Sequence, residues 1–305
     1  MAWTTTNLLS QVKVRAGWPS SGGYLTDAEI LSLADDEMLV TVAPLLRAAR
    51  EEYWVVQGPD VALSSSVTSV RIPPRALGSA LRDVLIVQGT SIWSAPEISP
   101  EDSWRYQSSG NPAWKSPCAF FCEGSYVRFV PSANAAGYSA RLKYYRRPSQ
   151  MVPLDEAVVV TTATAPAIGF SGTAPTGWVA GDYDAIDALS PYDATADSFA
   201  VTVVADGALT VASIPDGLEV GNYVALEGTS PVPQIPVALA PILVLATVRA
   251  CLESSGDTQS AAAAAQQLQR KSEAIRALIE PRVTGERLVV INRSSALRGS
   301  RNGGW

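Results

Sequence analysis

The spacing of apolar residues along the chain changes period several times, and each change marks an element boundary. Leu8, Leu9, Val12 and Val14 recur at helical spacing, with Thr6 or Asn7 placed to cap the helix and Gly17-Trp-Pro19 to stop it. A second helical stretch opens on Thr26-Asp-Ala-Glu29, a capping box, and carries Ile30, Leu33, Ala34, Met38, Val42, Leu45 and Leu46 on one face. Pro44 falls inside that stripe and predicts a kink or a fresh start, because its ring removes a donor and crowds the preceding turn. From residue 55 to 151 the pattern becomes β. Short runs at 67–72, 80–87, 126–130 and 140–145 are separated by Pro-Pro, Gly-Thr, Gly-Ser and Asn-Ala-Ala-Gly punctuation.

A second β-rich region covers 158–224. Runs at 199–204 and 209–214 flank Asp206-Gly207, a hairpin signal, and 218–226 supplies a further strand, so the region reads as a small inserted sheet or barrel. Helical spacing then returns over 237–252 and 258–280. The second of these has an alanine-rich start and a stripe of Leu268, Ile275, Leu278 and Ile279 that ends before Pro281. Between barrel and helix, Pro231, Pro233 and Pro236 fix the backbone and predict a stiff, extended strut.

These elements predict an α+β fold. Helices at 1–57 and 231–280 each show one apolar stripe and are expected to pack together as one helical bundle. The bundle would carry a β domain at 58–152 and an inserted acidic β-rich domain at 153–230, with an extended basic arm at 281–305.

Composition narrows the chemistry. The chain has no histidine, which removes histidine bases, Ser-His-Asp and Cys-His nucleophiles and every histidine-containing metal site. Its three cysteines cannot form a disulfide framework. Cys118 and Cys122 lie four apart in an extended run, roughly 13 Å on a strand, and read as buried thiols. The apolar run 237–248 is shorter than the roughly 20 residues of a membrane span and reads as a core helix. The opening residues show no secretory pattern.

Candidate sites are sparse. Asp182, Asp184 and Asp187 cluster like a calcium loop but lack its central glycine and its bidentate glutamate, and they read as solvated loop acids. Trp93, Trp104 and Trp114 stand in a Pro- and Ser-rich loop, either as cover for a small sheet or as interface anchors. The chain has no phosphate-binding glycine loop, nucleophile elbow or CxxC pair, so no catalysis, cofactor or metal is expected.

Charge is unevenly spread. No lysine or arginine occurs between Pro148 and Val248. The arm sets five arginines against Glu286, a balance of +4, so the overall charge of -6 leaves -10 on residues 1–280. The arm has no periodicity with which to bury itself on its own chain. It reads either as a solvated end or as a segment that folds on a partner. In the second case Leu288, Val289, Val290 and Ile291 would add a strand while Arg287, Arg293, Arg298 and Arg301 pair with acids or phosphates.

Several features occur together here: capped N-terminal helices, a β region closing on Leu142-Lys-Tyr-Tyr-Arg-Arg-Pro148, and Pro231-Val-Pro-Gln-Ile-Pro236 before Leu239-Ala-Pro-Ile-Leu243 and Leu252-Glu-Ser-Ser-Gly-Asp257. In this order the chain resembles the head-to-tail adaptor proteins of tailed bacteriophages, over both helical ends and the first β region. The resemblance implies a structural virion protein, assembled in the host cytoplasm and placed at the head-tail interface. It also implies a homo-oligomeric, dodecameric ring that binds the portal through residues 281–305, meets tail or nozzle proteins and lets DNA pass without reading its sequence. Two other readings remain open: a carbohydrate-binding or carbohydrate-acting tail-fibre module, and a baseplate or tail-tube component.

Overall fold

The structure, a computed structural model, describes residues 2–19, 23–49, 51–64, 66–106, 116–131, 136–191 and 198–278. The chain is mixed α and β, with few helices, several sheets and a small closed barrel. Helix α1 (Thr5–Ala16) starts earlier than its sequence suggests, with Thr4 at the N-cap position and no side-chain cap. The missing cap is replaced from elsewhere in the chain: Thr5 N donates to the Pro231 carbonyl at 2.8 Å and Thr5 Oγ1 to the Val152 carbonyl at 2.9 Å. Gly17 then ends α1 at φ 71°, a left-handed turn that a Cβ would strain.

Helix α2 (Asp27–Glu37) begins with the expected capping box. Thr26 Oγ1 accepts from Glu29 N, and the Glu29 carboxylate accepts from Thr26 N. The Pro44 irregularity takes the form of a π-helical turn, Met38–Val42, ahead of α3 (Ala43–Ala49). A wider turn accommodates a residue that cannot donate and that would otherwise collide with the carbonyl four residues back.

Near the other end of the chain, a 3₁₀ turn (Val237–Leu239) runs into α4 (Ala240–Ser254), and a short turn reverses the chain into α5 (Thr258–Leu278). The combined run Val237–Ser254 spans 18 residues at mean hydropathy 1.7, so it is longer than the 237–248 reading and reaches membrane-spanning length and apolarity. Most of this window, 61%, is buried within the protein. Helix α4 is apolar nearly all round because α1, α2 and α5 each pack on it. Leu8, Val12, Ile30, Ala34, Leu46, Leu243 and Leu268 belong to the one core these helices share.

The second unit is a two-sheet sandwich. One sheet has the order β1 (Val55–Gln57), β8 (Ser139–Arg146), β4 (Ala76–Gln88) and β5 (Ser91–Ser94), with β2 (Val61–Ala62) also on β8. The other is β3 (Ser69–Arg71), β7 (Tyr126–Val130) and β6 (Ala119–Glu123). Val84, Ile86, Ala140 and Leu142 from the first face Val70, Phe120, Val127 and Phe129 from the second. Strand β4 loops out at Gly78 and Ser79, which have φ of 59° and 57°, and its pairing with β8 jumps from Ala76↔Arg146 to Leu81↔Tyr144.

The inserted region closes into a six-stranded antiparallel barrel. Its order is β10 (Val158–Thr164), β11 (Ala167–Phe170), β14 (Ala208–Val211), β13 (Ser198–Ala205), β12 (Gly181–Ile186) and β15 (Tyr223–Leu226), which pairs back to β10. Asp206-Gly207 makes the two-residue turn between β13 and β14, with Ala205 opposite Ala208 and Gly207 at φ 77°. Strand β15 covers less than the 218–226 run, whose first residues turn into it.

The chain enters and leaves the barrel side by side: β9 (Gln150–Met151) and β16 (Thr229–Ser230) form a two-residue parallel ladder. The proline strut follows β16 and is interior, with Val232 and Ile235 buried, the Gln234 carbonyl accepting from Trp54 Nε1 and Gln234 Oε1 accepting from Ser149 N.

Leu243 lies at 0% exposure in the middle of α4. Replacing it with aspartate buries an unpaired charge and should unfold the helical layer, at a cost of several kcal/mol. Circular dichroism and size-exclusion chromatography of Leu243→Asp check this, and a soluble variant with native helicity would contradict the packing described.

Candidate functional site

Asp184 sits on β12, a strand whose inward residues Tyr183 and Ala185 fill the barrel while Asp184 and Ile186 face the rest of the molecule. Burial on both faces removes the alternation that would have marked the strand. Asp184 is therefore not a solvated loop acid. Its Oδ2 lies 2.7 Å from Arg75 Nη1 and 3.5 Å from Arg146 Nη2, and accepts from Gly228 N at 2.9 Å. Arg75 also donates to Ser149 Oγ at 2.6 Å. One buried carboxylate thus joins barrel, sandwich and neck. Asp182 is exposed, and Asp187 accepts from Leu189 N in its own turn, so the three aspartates do not converge on a common point.

Beside this node, a cavity of about 420 Å³ opens where α2, the sandwich and the neck meet. Asp35 and Asp36 line it from the helix, and Arg75 and Arg147 from the sandwich. Asp35 Oδ1 accepts from Met151 N at 2.9 Å, while its Oδ2 is buried with no hydrogen-bond partner. Burial pushes the Asp35 carboxyl up to about 7, a rise that Asp36 reinforces and that the Met151 amide and Arg147 oppose. A second contact ties α2 to α4: Arg249 Nη2 lies 2.6 Å from Glu37 Oε1.

A smaller groove of about 150 Å³ lies along the strut, and every described residue lining it is apolar. Leu189 and Val237 on its rim are 81% and 67% exposed.

The remaining candidates divide. Trp93 packs edge-on against Tyr138 with ring centroids 5.9 Å apart, whereas Trp104 is 66% exposed and Trp114 lies outside the described residues. Cys118 is buried, with its thiol pushed up to about 12, but Cys122 is exposed because β6 runs out of the sandwich core at its turn end. Among the described residues no group of three His, Cys, Asp or Glu could hold a metal ion. Arg287, Leu288, Val289, Val290, Ile291, Arg293, Arg298 and Arg301 lie outside the described residues.

Sequence reading missed Arg75, Arg146 and Asp35. The only signal available was that Asp184, one of several acids in its run, belongs to a region with no positive charge of its own. No protein-family model matches the chain, and no curated protein matches it either.

Two outcomes follow from this geometry. Asp184→Ala leaves Arg75 and Arg146 without their shared anion and should cost about 3–5 kcal/mol in denaturant unfolding. Added calcium should restore none of it; recovery with calcium would mean a metal site. Asp35 holds its proton more tightly in the folded than in the unfolded chain, so stability falls as pH rises from about 4 to about 7. Asp35→Asn should match the parent below pH 4 and exceed it above pH 7 by on the order of 1 kcal/mol, a figure discounted for partial exposure. Melting temperatures across pH 4–8 read this directly, and parallel curves for parent and variant would contradict it.

Proposed function

We propose that this chain is a structural, non-enzymatic component of a phage virion: a head-to-tail adaptor that forms a ring between portal and tail. Charge segregation is the main support. Residues 153–230 hold eleven carboxylates and no lysine or arginine, while the segment after α5 is arginine-rich. The acidity of residues 1–280 therefore resides in the barrel unit, the remainder being close to neutral. A surface of this kind repels a DNA backbone and lets it pass without gripping phosphate.

In this reading α1 to α5 act as a helical bundle, and the sandwich and barrel present the tail-facing and channel-facing surfaces. Val14, Tyr24 and Val40, at 75%, 80% and 73% exposure on the helical layer, are available to neighbouring subunits. The arm docks on the portal, with residues 288–291 adding a strand and Arg287, Arg293, Arg298 and Arg301 meeting acidic groups. A second reading, a carbohydrate-binding tail-fibre module, rests on the exposed Trp104.

Mixing the chain with its portal should give rings of about a dozen subunits by negative stain or mass photometry, the symmetry expected of a closed homo-oligomer. A chain ending at Glu280 should keep its circular dichroism yet fail to join the portal. Exchanging Arg287 and Arg293 for glutamate should weaken joining in a salt-dependent way. A truncated chain that joins as tightly as the full one would remove the arm from the interface, and polysaccharide binding without ring formation would favour the fibre reading.

A further inference from the structure

Asp35 gives α2 a tie to the neck that only its neutral form holds cheaply. It stands near the end of α2, with Oδ1 accepting from Met151 N of β9 at 2.9 Å and Oδ2 buried without a hydrogen-bond partner among the described residues. Strand β9 is held separately by β16 and its neighbour: Gln150 N donates to the Gly228 carbonyl at 2.8 Å and Val152 N to the Ser230 carbonyl at 3.0 Å. A protonated Asp35 buries no charge. An ionised one buries a charge on a carboxylate of which one oxygen has no donor, the costly case for an interior group.

The charges around Asp35 do not offset that cost. Asp36 follows it on α2 and adds repulsion. From the sandwich side, Arg75 is committed to Asp184 of the barrel and to Ser149 Oγ. Helix α4 presents Arg249, already engaged by Glu37, and α1 presents Lys13, paired with Asp27 at the far end of α2. The two neck strands carry no charged side chain. Arg147 differs from the other arginines. Its side chain is exposed, has no ion pair or hydrogen bond among the described residues, and lines the same cavity of about 420 Å³ as Asp35. A cavity of that size has room to hydrate a carboxylate that turns into it.

We infer that Asp35 is a pH-operated latch between α2 and the neck: neutral, it holds the Met151 N–H; ionised, it leaves that N–H and turns into the cavity toward Arg147. Burial places its titration at about 7, against roughly 4 for a solvated aspartate. The closed latch therefore binds its proton more tightly than the open one. The open fraction rises with pH across that interval, by at most about tenfold per unit, and levels off above it. Gln150 and Val152 stay bonded to the β16 side in both positions, so the neck keeps its ladder while α2 is freed from it. The global loss of stability with pH needs no such movement, and the latch does not rest on the adaptor reading because it belongs to the isolated subunit.

Amide hydrogen exchange of Met151 in the full chain, resolved by NMR and corrected for the intrinsic rise of exchange with pH, reads the open fraction. It should rise at least about tenfold between pH 5 and pH 7 and flatten above pH 8. Gln150 and Val152 should remain roughly tenfold or more better protected than Met151 above pH 7. Asp35→Asn cannot ionise but keeps an oxygen for Met151 N, and should give a flat profile. Arg147→Gln lacks the cation that receives the carboxylate, and should cut the rise severalfold. Protection at Met151 that stays flat or grows with pH would overturn the latch, growth meaning that the ionised carboxylate grips the amide harder. So would exchange of Gln150 and Val152 as fast as that of Met151, which would be opening of the whole neck. A rise that persists in Asp35→Asn, or at full size in Arg147→Gln, would overturn it as well.

Discussion

A carboxylate almost closed off from water holds this molecule in register. Asp184 projects from the outer side of the barrel into two arginines of the sandwich and the backbone N–H of Gly228, so neither β unit can turn on the other without exposing or unpairing charge. Such a node contributes less to net stability than to the uniqueness of one arrangement, since desolvation offsets much of the attraction. The strut continues the same constraint inward. Its carbonyls and Gln234 side chain engage Thr5, Trp54 and Ser149, and these contacts tie the first helix, the end of the helical layer and the neck to one buried segment.

The units that this node orders differ in character. The helical layer is built from both ends of the chain around α4, whose apolar surface is covered by three other helices. The sandwich has a conventional two-faced core, and the barrel has its own, centred on Tyr183 with Trp178 at 4.8 Å and Phe199 at 6.5 Å between ring centroids. Each unit buries most of its own apolar surface; Ile186 and Ala225 of the barrel also pack on Val232 of the strut, and polar contacts complete the joints: Asp184 with Arg75 and Arg146, and Asp35 with the Met151 amide. A polar joint can register charge and pH in a way that an apolar one cannot, and Asp35, close to neutrality in its titration, stands where helix, sandwich and neck meet.

What the sequence revealed was what local chemistry decides. The Thr26 to Glu29 capping box, the Gly17 stop, the Asp206-Gly207 hairpin and strand β7 all depend on residues within a few positions of one another. What it hid depends on distant partners. Thr4 needs no side-chain cap because Pro231 supplies a carbonyl, and nothing near Thr4 announces this. Strand β12 looked like an acidic loop because its aspartates break the apolar pattern. The reason one of them is tolerated inside, Arg75, stands more than a hundred residues earlier. The cavity and the apolar groove were illegible for the same reason, as each draws its lining from segments far apart in the chain.

The parallel neck has a consequence for how such a chain could be rebuilt. Because β9 and β16 lie roughly 4.8 Å apart, the two covalent connections of the barrel leave the rest of the molecule side by side. A linker from position 152 to 229 must return along the parallel ladder as well as step across it, and loss of the barrel would leave Arg75 and Arg146 without Asp184 and uncover Val232. The barrel is in this sense a module on a fixed socket. Another closed domain with adjacent ends could occupy the socket, provided it presents one carboxylate to Arg75 and Arg146.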